Sequence, residues 1–459
     1  MTQLGQPQRR FRELARAKLA DEHALAAIDQ ATGRFLRERE GAWEELGDEL
    51  EELRERAREI RTSTIEELDR HLEDFARAVE SRGGAVHRCR TAEEARQTVV
   101  RICRDAGARL AVKSKSMASE EIGLNEALAA AGVKPVETDL GEYLLQLSGE
   151  HPVHIIAPAL EKTAADAARL LSRVEGKELP TEHSALTQAA RRQLREAFLT
   201  ADVGITGANF GVAETGSIVL VENEGNARLS SSAPRVHIAL MGMERLVPTL
   251  AELAVLLRVL ARSATGQRLS AYTTLVTGPR RPGEPDGPEE LHVVVLDNGR
   301  SEVRGGRYSE MLNCIRCGAC LNVCPIYRKA GGGAYGPVYS GPMGAVLVPL
   351  LVGLERAAAL PHASSLCGAC TAACPVKIPL HELLLELRRD LVEGGVTSRR
   401  ERLGFWLWSL AWSRAWSYRL STALARLGQR FAGRLGPGRT WARERALPPL
   451  ARRRYRDRR

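Results

Sequence analysis

Seven of the nine cysteines lie in two similar runs, residues 314–325 and 364–375. The first run has the C-x2-C-x2-C-x3-C-P spacing of bacterial iron–sulfur proteins, in which short turns present successive thiolates to one cluster. The second run repeats this spacing with Ser364 at the position of Cys314. A structural zinc would use four thiolates and not seven, and disulfides would leave the doubled spacing unexplained. The two runs therefore predict iron–sulfur clusters.

The same pattern predicts how the cysteines are shared, because the fourth cysteine of a run ligates the other cluster. Cluster 1 is then held by three cysteines of the first run and one of the second, and cluster 2 by the remaining three. The predicted ligands are Cys314, Cys317, Cys320 and Cys374 for cluster 1, and Cys324, Cys367 and Cys370 for cluster 2.

Cluster 2 is one thiolate short, and two alternatives stay open. The prediction is two [4Fe-4S] clusters, the second with a serine oxygen (Ser364) or solvent on its fourth iron; the alternative is a [3Fe-4S] second cluster. Residues 327–344 are glycine-rich, and helices are predicted at 345–359 and 381–393. These apolar helices should bury the clusters, which tunes their reduction potentials.

Residues 85–300 alternate short apolar runs with helical segments, which predicts an α/β domain with a largely parallel sheet. Strands are predicted at 109–113, 153–157, 203–206, 217–221, 237–241 and 292–296, and helices at 117–131, 163–174, 185–198 and 247–261.

Ligands of such sheets bind beyond the carboxyl ends of the strands, and two polar loops follow predicted strands here. They form a candidate site for a small anion or a partner, with ordinary solvated turns as the alternative. The candidate residues are Lys113, Ser114, Lys115, Asn209, Glu214, Thr215 and Ser217. No Ser/His/Asp or Cys/His nucleophile set stands out, so no catalytic residue is assigned.

The net charge of +9 is concentrated in residues 426–459, which hold 12 arginines and two acidic residues. The rest of the chain is close to neutral, so no nucleic-acid partner is predicted. The first 18 residues have no apolar segment typical of a signal peptide, and the apolar runs at 343–354 and 403–412 are too short to cross a bilayer. With Cys89 and Cys103 interpreted as reduced thiols, we expect a cytoplasmic protein, soluble or peripheral at the inner face of the membrane.

Both ends of the chain are predicted to be helical. Residues 1–84 suggest two or three helices, and a helix at 403–420 would place Trp408, Trp412 and Trp416 on one face. That helix either packs on its own domain or a partner, or lies at an anionic membrane surface with the basic tail. Residues beyond 436 are expected to be disordered. The predicted domains are 1–84, 85–300, 301–395 and 396–459.

The chain resembles the lactate utilization protein B family. The resemblance rests on six sequence strings in order along most of the chain. They are VKSKSM (112–117), ETDLGEY (137–143), HIIAPAL (154–160), GITGANF with TGS (204–210 and 215–217), MGMER (241–245) and DNGRS (297–301).

The resemblance implies an α/β domain named LUD, for lactate utilization, similar in fold to ribose-5-phosphate isomerase and CoA-transferase-like sheets. It also implies an α-helical ferredoxin module like that of the iron–sulfur subunit of succinate dehydrogenase. The family's cluster ligands transfer onto the seven cysteines named above, and the family shares the second run with three cysteines. The tryptophan-rich tail departs from the family, so no family role carries over there.

The function implied by the resemblance is that of the iron–sulfur subunit of a three-part bacterial L-lactate oxidation system. Its implied partners are a cysteine-rich-domain protein and a second LUD protein; the electron acceptor is not implied. We favour an electron-transfer subunit over a chain that is catalytic alone. The alternative is a catalytic subunit that binds a hydroxy acid at the α/β cleft and uses an open iron of cluster 2. A third interpretation is a purely structural cluster.

Overall fold

The computed structural model describes residues 11–336, 338–432 and 451. The chain divides into two compact units, Met1–Arg389 and Asp390–Arg459. The apolar core of the first unit is continuous from the N-terminal helices to the cysteine-rich segment. The boundaries after residues 84, 300 and 395 stay predictions.

A six-stranded sheet, parallel throughout, forms the centre of the first unit. From one edge to the other its strands are β1 (Ala85–Cys89), β10 (Glu290–Leu296), β7 (Val236–Gly242), β4 (Val203–Gly207), β2 (Leu110–Lys113) and β3 (Lys134–Glu137). The strand β7 is buried at all seven positions, as expected for a parallel strand with both faces covered. The predicted α/β class is confirmed.

A smaller four-stranded sheet packs beside the first. Its strands, in spatial order, are β8 (Leu246–Val247), β5 (Phe210–Val212), β6 (Ser217–Glu222) and β9 (Tyr272–Val276). The strand predicted at 217–221 is therefore β6, and it pairs antiparallel with both of its neighbours. The two faces of the parallel sheet enter different apolar cores, and the smaller sheet shares its core with the N-terminal helices.

Helices connect the strands of the α/β region. They are α5 (Ala92–Asp105), α6 (Met117–Ile122), α7 (Leu124–Ala130), α8 (Leu140–Ser148), α9 (Ala164–Glu175), α10 (His183–Thr200), α11 (Asn226–Ser232) and α12 (Leu250–Thr265). The start of α9 shows why they begin where they do: Thr163 and Asp166 form a reciprocal capping box that satisfies free N–H groups. The helix predicted at 117–131 is two helices, because Gly123 is left-handed (φ 65°) between α6 and α7.

From residue 11, where the description begins, the N-terminal region contains four helices, where two or three were predicted. They are α1 (Phe11–Leu19), α2 (Glu22–Glu44), α3 (Glu49–Glu66) and α4 (Leu68–Glu80). On α3 the buried residues Leu53, Ala57, Ile60 and Thr64 recur every three or four positions and face the common core. The helix α3 thereby reaches both the small sheet and the cysteine-rich segment.

The regular secondary structure described in the cysteine-rich segment is all helical, as predicted. Its helices are α13 (Arg300–Arg304), α14 (Ala319–Asn322), α15 (Tyr327–Ala330), α16 (Gly341–Val352), α17 (Ala369–Ala372) and α18 (Leu380–Glu393), with short 3-10 turns at Ser309–Asn313, Gly332–Tyr335 and Leu360–His362. The apolar helix α16 is buried from Gly341 to Pro349.

The strand predicted at 153–157 is wrong, because these residues form an irregular loop. Side chains replace the hydrogen bonds that a neighbouring strand would make. The carbonyl of Val153 accepts from the hydroxyls of Tyr327 (2.9 Å) and Ser340 (3.0 Å). The Nδ1 atom of His154 accepts from the N–H groups of residues 156 and 157, both at 3.2 Å. The loop is apolar because the cysteine-rich segment covers it.

In the described part of the second unit, the end of α18 is followed by two further helices, α19 (Arg399–Ser413) and α20 (Ala415–Ala432). The single helix predicted at 403–420 is therefore wrong, because Arg414 is extended (φ −117°, ψ 142°) and breaks it. Trp408 and Trp412 contact each other on one helix, with ring centroids 5.6 Å apart and ring planes tilted by 35°, while Trp416 lies on the next. The tail predicted to be disordered beyond residue 436 lies outside the described residues, apart from Ala451.

Candidate functional site

The two cysteine runs adopt the same backbone. In the first run Arg316 (φ 60°) and Gly318 (φ 77°) are left-handed and α14 follows. In the second run Leu366 (φ 55°) and Gly368 (φ 81°) are left-handed and α17 follows. Left-handed residues other than glycine are uncommon, so this correspondence marks a structural repeat.

Four thiols from both runs line one cavity beneath α16. The lining cysteines are Cys314, Cys317, Cys320 and Cys374. Cys317 and Cys374 are buried and the other two are half-buried, and the cavity wall around them is apolar apart from Arg316. Four convergent thiols are the donor set of a cubane iron–sulfur cluster. The residues present therefore fit the four ligands predicted for cluster 1.

The other three thiols form a second group. Cys324 and Cys370 are buried, whereas Cys367 is exposed. The hydroxyl of Ser364, at the repeat position of Cys314, accepts from the N–H of Leu366 at 3.1 Å. This group fits a cluster with three thiolates and an open fourth position, and the assignment of its ligands stays a prediction.

Burial and mutual repulsion disfavour free thiolates at both groups. Burial, followed by the nearby Cys374, raises the pKa of Cys317 to about 12. Burial, followed by the nearby Cys324, raises the pKa of Cys370 to about 11. At Cys367 the N–H of Ala369 donates to sulfur and lowers the pKa. Bound metal deprotonates such thiols, so burial makes the sites depend on the cluster for their charge.

Backbone N–H groups also donate to two further sulfurs. The N–H of Tyr327 donates to Cys324 Sγ at 3.5 Å, and that of Ile378 donates to Cys374 Sγ at 3.4 Å. Such bonds help to set cluster potentials. Among the described residues no three His, Cys, Asp or Glu side chains converge on a single metal ion. In a cubane each thiolate binds a different iron, so its ligands lie farther apart than those of a single ion.

Buried arginines hold the chain on both sides of the four-thiol cavity. Arg245 donates to the carbonyl of Cys314 at 3.0 Å. Arg61, which is fully buried on α3, donates to the carbonyls of Leu312 at 3.1 Å and Asn313 at 3.3 Å. On the other side, Arg54 donates to the carbonyl of Cys374 at 2.8 Å. The N-terminal helices and the α/β region therefore position ligand-bearing segments.

Arg316, inside the first run, also lines the four-thiol cavity. Its Nη2 atom lies 3.1 Å from Glu244, and its guanidinium lies 4.8 Å from the ring centroid of Tyr339. Glu244 also pairs with Arg300 at 2.6 Å, and Arg300 pairs with Glu121 at 2.7 Å. Burial raises the pKa of Glu244 while Arg300 and then Arg316 lower it, and the net result is a pKa of about 2.

The second run has a different support. Arg388 of α18 donates to the carbonyls of Pro361 and Ser364, both at 2.8 Å. Leu366 stands where the first run has Arg316. Arg39 and Arg54 also donate to carbonyls of this run, those of Ala373 and Ala372, both at 3.1 Å. The two loops therefore differ in which elements hold them and in the exposure of Cys367.

Three of the seven α/β candidates meet at one cavity. Ser114, Lys115 and Asn209 line it where β2 and β4 end, and Arg245 and Arg316 line it from the side of the cysteine-rich segment. Lys115 makes no hydrogen bond or ion pair with any residue that the structure describes. The cavity therefore presents an unpaired ammonium beyond the carboxyl ends of the parallel strands.

Lys113 faces away from this cavity. Its ammonium is fully buried, 2.8 Å from Glu137 and 3.2 Å from Glu120. Burial, followed by the nearby Glu137, raises the pKa of Glu142 in the same group well above the usual value. Lys113 thus neutralises buried carboxylates and is not open to a ligand in this arrangement.

The remaining candidates also lie elsewhere. Thr215 bonds to Ser217 (2.7 Å), which bonds to Thr277 (2.6 Å). Glu214 accepts from the N–H of Leu250 at 3.1 Å. These side chains serve turn and strand connections. The predictions from sequence assigned no role to the arginines around the four thiols, although Arg316 lies within the first cysteine run and Arg245 ends the MGMER string.

Comparison with known families finds two matches, both within the first unit. Residues 72–296 match the family described as LUD domain, and residues 310–378 match the 4Fe-4S dicluster domain. The protein is therefore an iron–sulfur protein that joins a LUD domain to a dicluster module.

Similar proteins named lactate utilization protein B extend over most of the chain. The protein of Macrococcus caseolyticus is 50% identical over 384 residues, which cover 83% of this chain and 80% of that protein. The protein of Shouchella clausii is 47% identical over 447 residues (96% and 94%), and that of Bacillus thuringiensis 45% over 458 residues (98% and 96%). The chain belongs to the lactate utilization protein B family, and the resemblance stated above is confirmed.

A crystal structure of a DUF162 family protein from Deinococcus radiodurans also matches. It is 16% identical and covers 50% of this chain and 98% of its own, with a TM-score of 0.27. Within the described residues, no helix is long and apolar enough to cross a membrane.

Proposed function

We propose that this chain is the iron–sulfur electron-transfer subunit of a multi-subunit system that oxidises L-lactate to pyruvate. The observation that carries the proposal is the cavity lined by four thiols from two separate cysteine runs. The names of the related proteins supply the metabolic context. The two further subunits, a cysteine-rich-domain protein and a second LUD protein, are part of this proposal.

In the proposed assignment Cys314, Cys317, Cys320 and Cys374 hold cluster 1, and three cysteines with Ser364 or solvent hold cluster 2. When bound, such clusters carry single electrons between a dehydrogenating partner and an acceptor. The protein's own residues orient the thiolates, donate N–H groups to sulfur and exclude water through α16. Because α14 carries Cys320 and precedes Cys324, ligands of both centres lie within one short stretch of chain.

The test uses protein purified without air, with its clusters loaded. L-lactate should bleach the visible absorption of the clusters only after both partner subunits are added, while dithionite should bleach it at once. The control is the same mixture with D-lactate. L-lactate-dependent dye reduction by this chain alone would contradict a pure electron carrier.

A second candidate function is binding of a hydroxy-acid carboxylate in the α/β cavity. The favouring observation is Lys115, an unpaired cation beside Ser114 and Asn209 in a cavity that Arg316 also lines. A carboxylate bound there would lie next to the loop that holds Cys314 and Cys317. This arrangement would bring a substrate or product close to cluster 1. It differs from the alternative given above, in which the hydroxy acid reacts at an open iron of cluster 2.

Calorimetric titration of L-lactate and pyruvate into the loaded chain tests this second candidate. We expect saturable binding of one of them that Lys115→Met weakens at least tenfold. Lys134→Met, which removes an exposed lysine at the start of β3, should leave binding unchanged. Absence of binding to the wild-type chain, or equal weakening by both substitutions, would rule out the site.

We also propose that the second unit provides peripheral membrane contact. The helix α19 has no buried residue and exposes Phe405, Trp406, Trp408 and Trp412, each more than half accessible. Tryptophan and arginine suit the interface of an anionic membrane. Cosedimentation with vesicles that contain phosphatidylglycerol, but not with neutral vesicles, is the expected result. Unchanged cosedimentation after Trp408→Ser and Trp412→Ser would contradict this role.

A further inference from the structure

The two cysteine loops differ at one equivalent position. Arg316 (φ 60°) precedes Cys317, and Leu366 (φ 55°) precedes Cys367. Both residues therefore have the left-handed backbone conformation at equivalent positions of the two runs. Because the backbone is the same, the difference lies in the side chain and in what surrounds it. Arg316 lines the four-thiol cavity, while Leu366 is a partly buried apolar residue.

Arg316 belongs to a buried group of charges in which cations outnumber anions. The group contains four guanidiniums and two carboxylates, all at least 88% buried. Its members are Arg61, Arg245, Arg300, Arg316, Glu121 and Glu244. Both carboxylates are already engaged by Arg300, and only Glu244 also reaches Arg316. The group therefore holds two positive charges beyond its carboxylates.

Buried charges without counter-charges are costly, so this excess needs an anion nearby. Three of the four arginines lie at Cys314: Arg245 donates to its carbonyl at 3.0 Å, and Arg61 donates to the carbonyls of the two residues before it. Arg316 follows Cys314 by two residues and lines the same cavity. A [4Fe-4S] cluster with four thiolates carries about two negative charges when oxidised and about three after it gains an electron. The excess of the arginine group therefore matches the charge of an oxidised cluster at the four thiols.

We propose that Arg316, together with Arg61 and Arg245, forms the counter-charge of cluster 1 and raises its reduction potential. This inference rests on the proposed function, since it requires a cluster at the four thiols. Arg316 is a positioning and tuning residue: it contacts no substrate and acts on the cluster through its charge. The electron comes from the reductant, and the added negative charge on the cluster is stabilised by the guanidiniums.

The test is a reciprocal exchange, Arg316→Leu and Leu366→Arg, because each residue already occupies the other's backbone conformation in this protein. Iron and sulfide content is measured first, and then the clusters are titrated with dithionite in the presence of mediator dyes and followed by EPR. The signal of cluster 1 is the one that Cys374→Ser removes. The control is Arg56→Leu, which removes an equal charge from the exposed face of α3.

Arg316→Leu should lower the reduction equilibrium constant of cluster 1 at least tenfold, which is 59 mV for one electron, and leave cluster 2 unchanged. Leu366→Arg should shift cluster 2 in the opposite direction, and Arg56→Leu should shift neither. Full iron content with unchanged potentials in both exchanged proteins would overturn the inference while leaving the electron-transfer proposal intact.

If Arg316→Leu fails to load cluster 1, Arg316→Lys keeps the charge and should load it with a potential close to that of the wild type. If Arg316→Lys also fails to load cluster 1, the test rests on the Leu366→Arg protein. An unchanged reduction potential of cluster 2 in that protein would overturn the inference. A wild-type chain whose clusters are absent or cannot be reduced would instead refute the proposed function itself.

Discussion

The two cysteine runs share one backbone but lie in different surroundings. Arg316 with Gly318, and Leu366 with Gly368, place the same left-handed turn before a four-residue helix in each run. The first loop is enclosed by side chains from α3, from the segment after β7 and from α16, whereas the second exposes Cys367. A local motif thus repeats the geometry of a loop, while distant parts of the chain decide its charge and exposure.

The largest expected effect tests whether the two runs share their ligands. Cys374→Ser should remove about half of the iron and the signal of cluster 1, although Cys374 belongs to the second run. Cys370→Ser should remove the other signal, and Cys103→Ala, a buried thiol outside both runs, should change neither. Loss of the same signal in the Cys374 and Cys370 variants would show that each run holds its own cluster.

Chelation should distinguish the two centres by rate. Cys367 is exposed, whereas the four thiols of the first centre are buried or half-buried. A chelator should therefore remove iron from cluster 2 several times faster than from cluster 1. The check is a time course of both EPR signals after addition of EDTA and ferricyanide. Equal rates, or earlier loss of cluster 1, would contradict the prediction that cluster 2 is the more accessible of the two clusters.

The arginines that hold the two loops should differ in their effect on stability. Arg61 is fully buried and donates to four carbonyls, so Arg61→Met should lower the free energy of unfolding by about 3 kcal/mol or more. Arg388 is partly buried and donates to two, so Arg388→Met should cost about 1 kcal/mol. Urea denaturation of the loaded proteins, followed by circular dichroism, measures both. Equal losses would mean that both loops are held alike.

The smallest expected effect comes from placing a cysteine at residue 364, the repeat position of Cys314. Ser364→Cys should give cluster 2 a fourth thiolate and slow its loss to a chelator, because the repeat places residue 364 where Cys314 lies. Ser365→Cys, one residue further on, should bring no such gain. If only Ser365→Cys slowed the loss of iron, residue 365 would be the one next to the fourth iron of cluster 2. The correspondence between residue 364 and Cys314 would then not predict that ligand.

The sequence predicted best those features that depend on residues close together in the chain. The cysteine spacing indicated both centres, and alternating apolar and helical segments indicated the parallel sheet. The strand predicted at residues 153–157 was wrong because an apolar run does not reveal whether a neighbouring strand or the cysteine-rich segment covers it. Lys113 and Lys115 looked alike, yet one neutralises buried carboxylates and the other lines a cavity. The positions of Arg61 and Arg245 depend on tertiary contacts that no local spacing encodes.

The central claim is that two interleaved centres in one chain carry electrons. Iron and sulfide analysis with EPR, on protein purified without air and measured before and after dithionite, tests it most directly. We predict about seven or eight irons per chain and, after reduction, the broadened spectrum of two interacting clusters. Seven irons with a signal in the oxidised state would identify a three-iron second cluster, provided that added Fe²⁺ does not convert it. About four irons, or centres that dithionite leaves unreduced, would contradict the account.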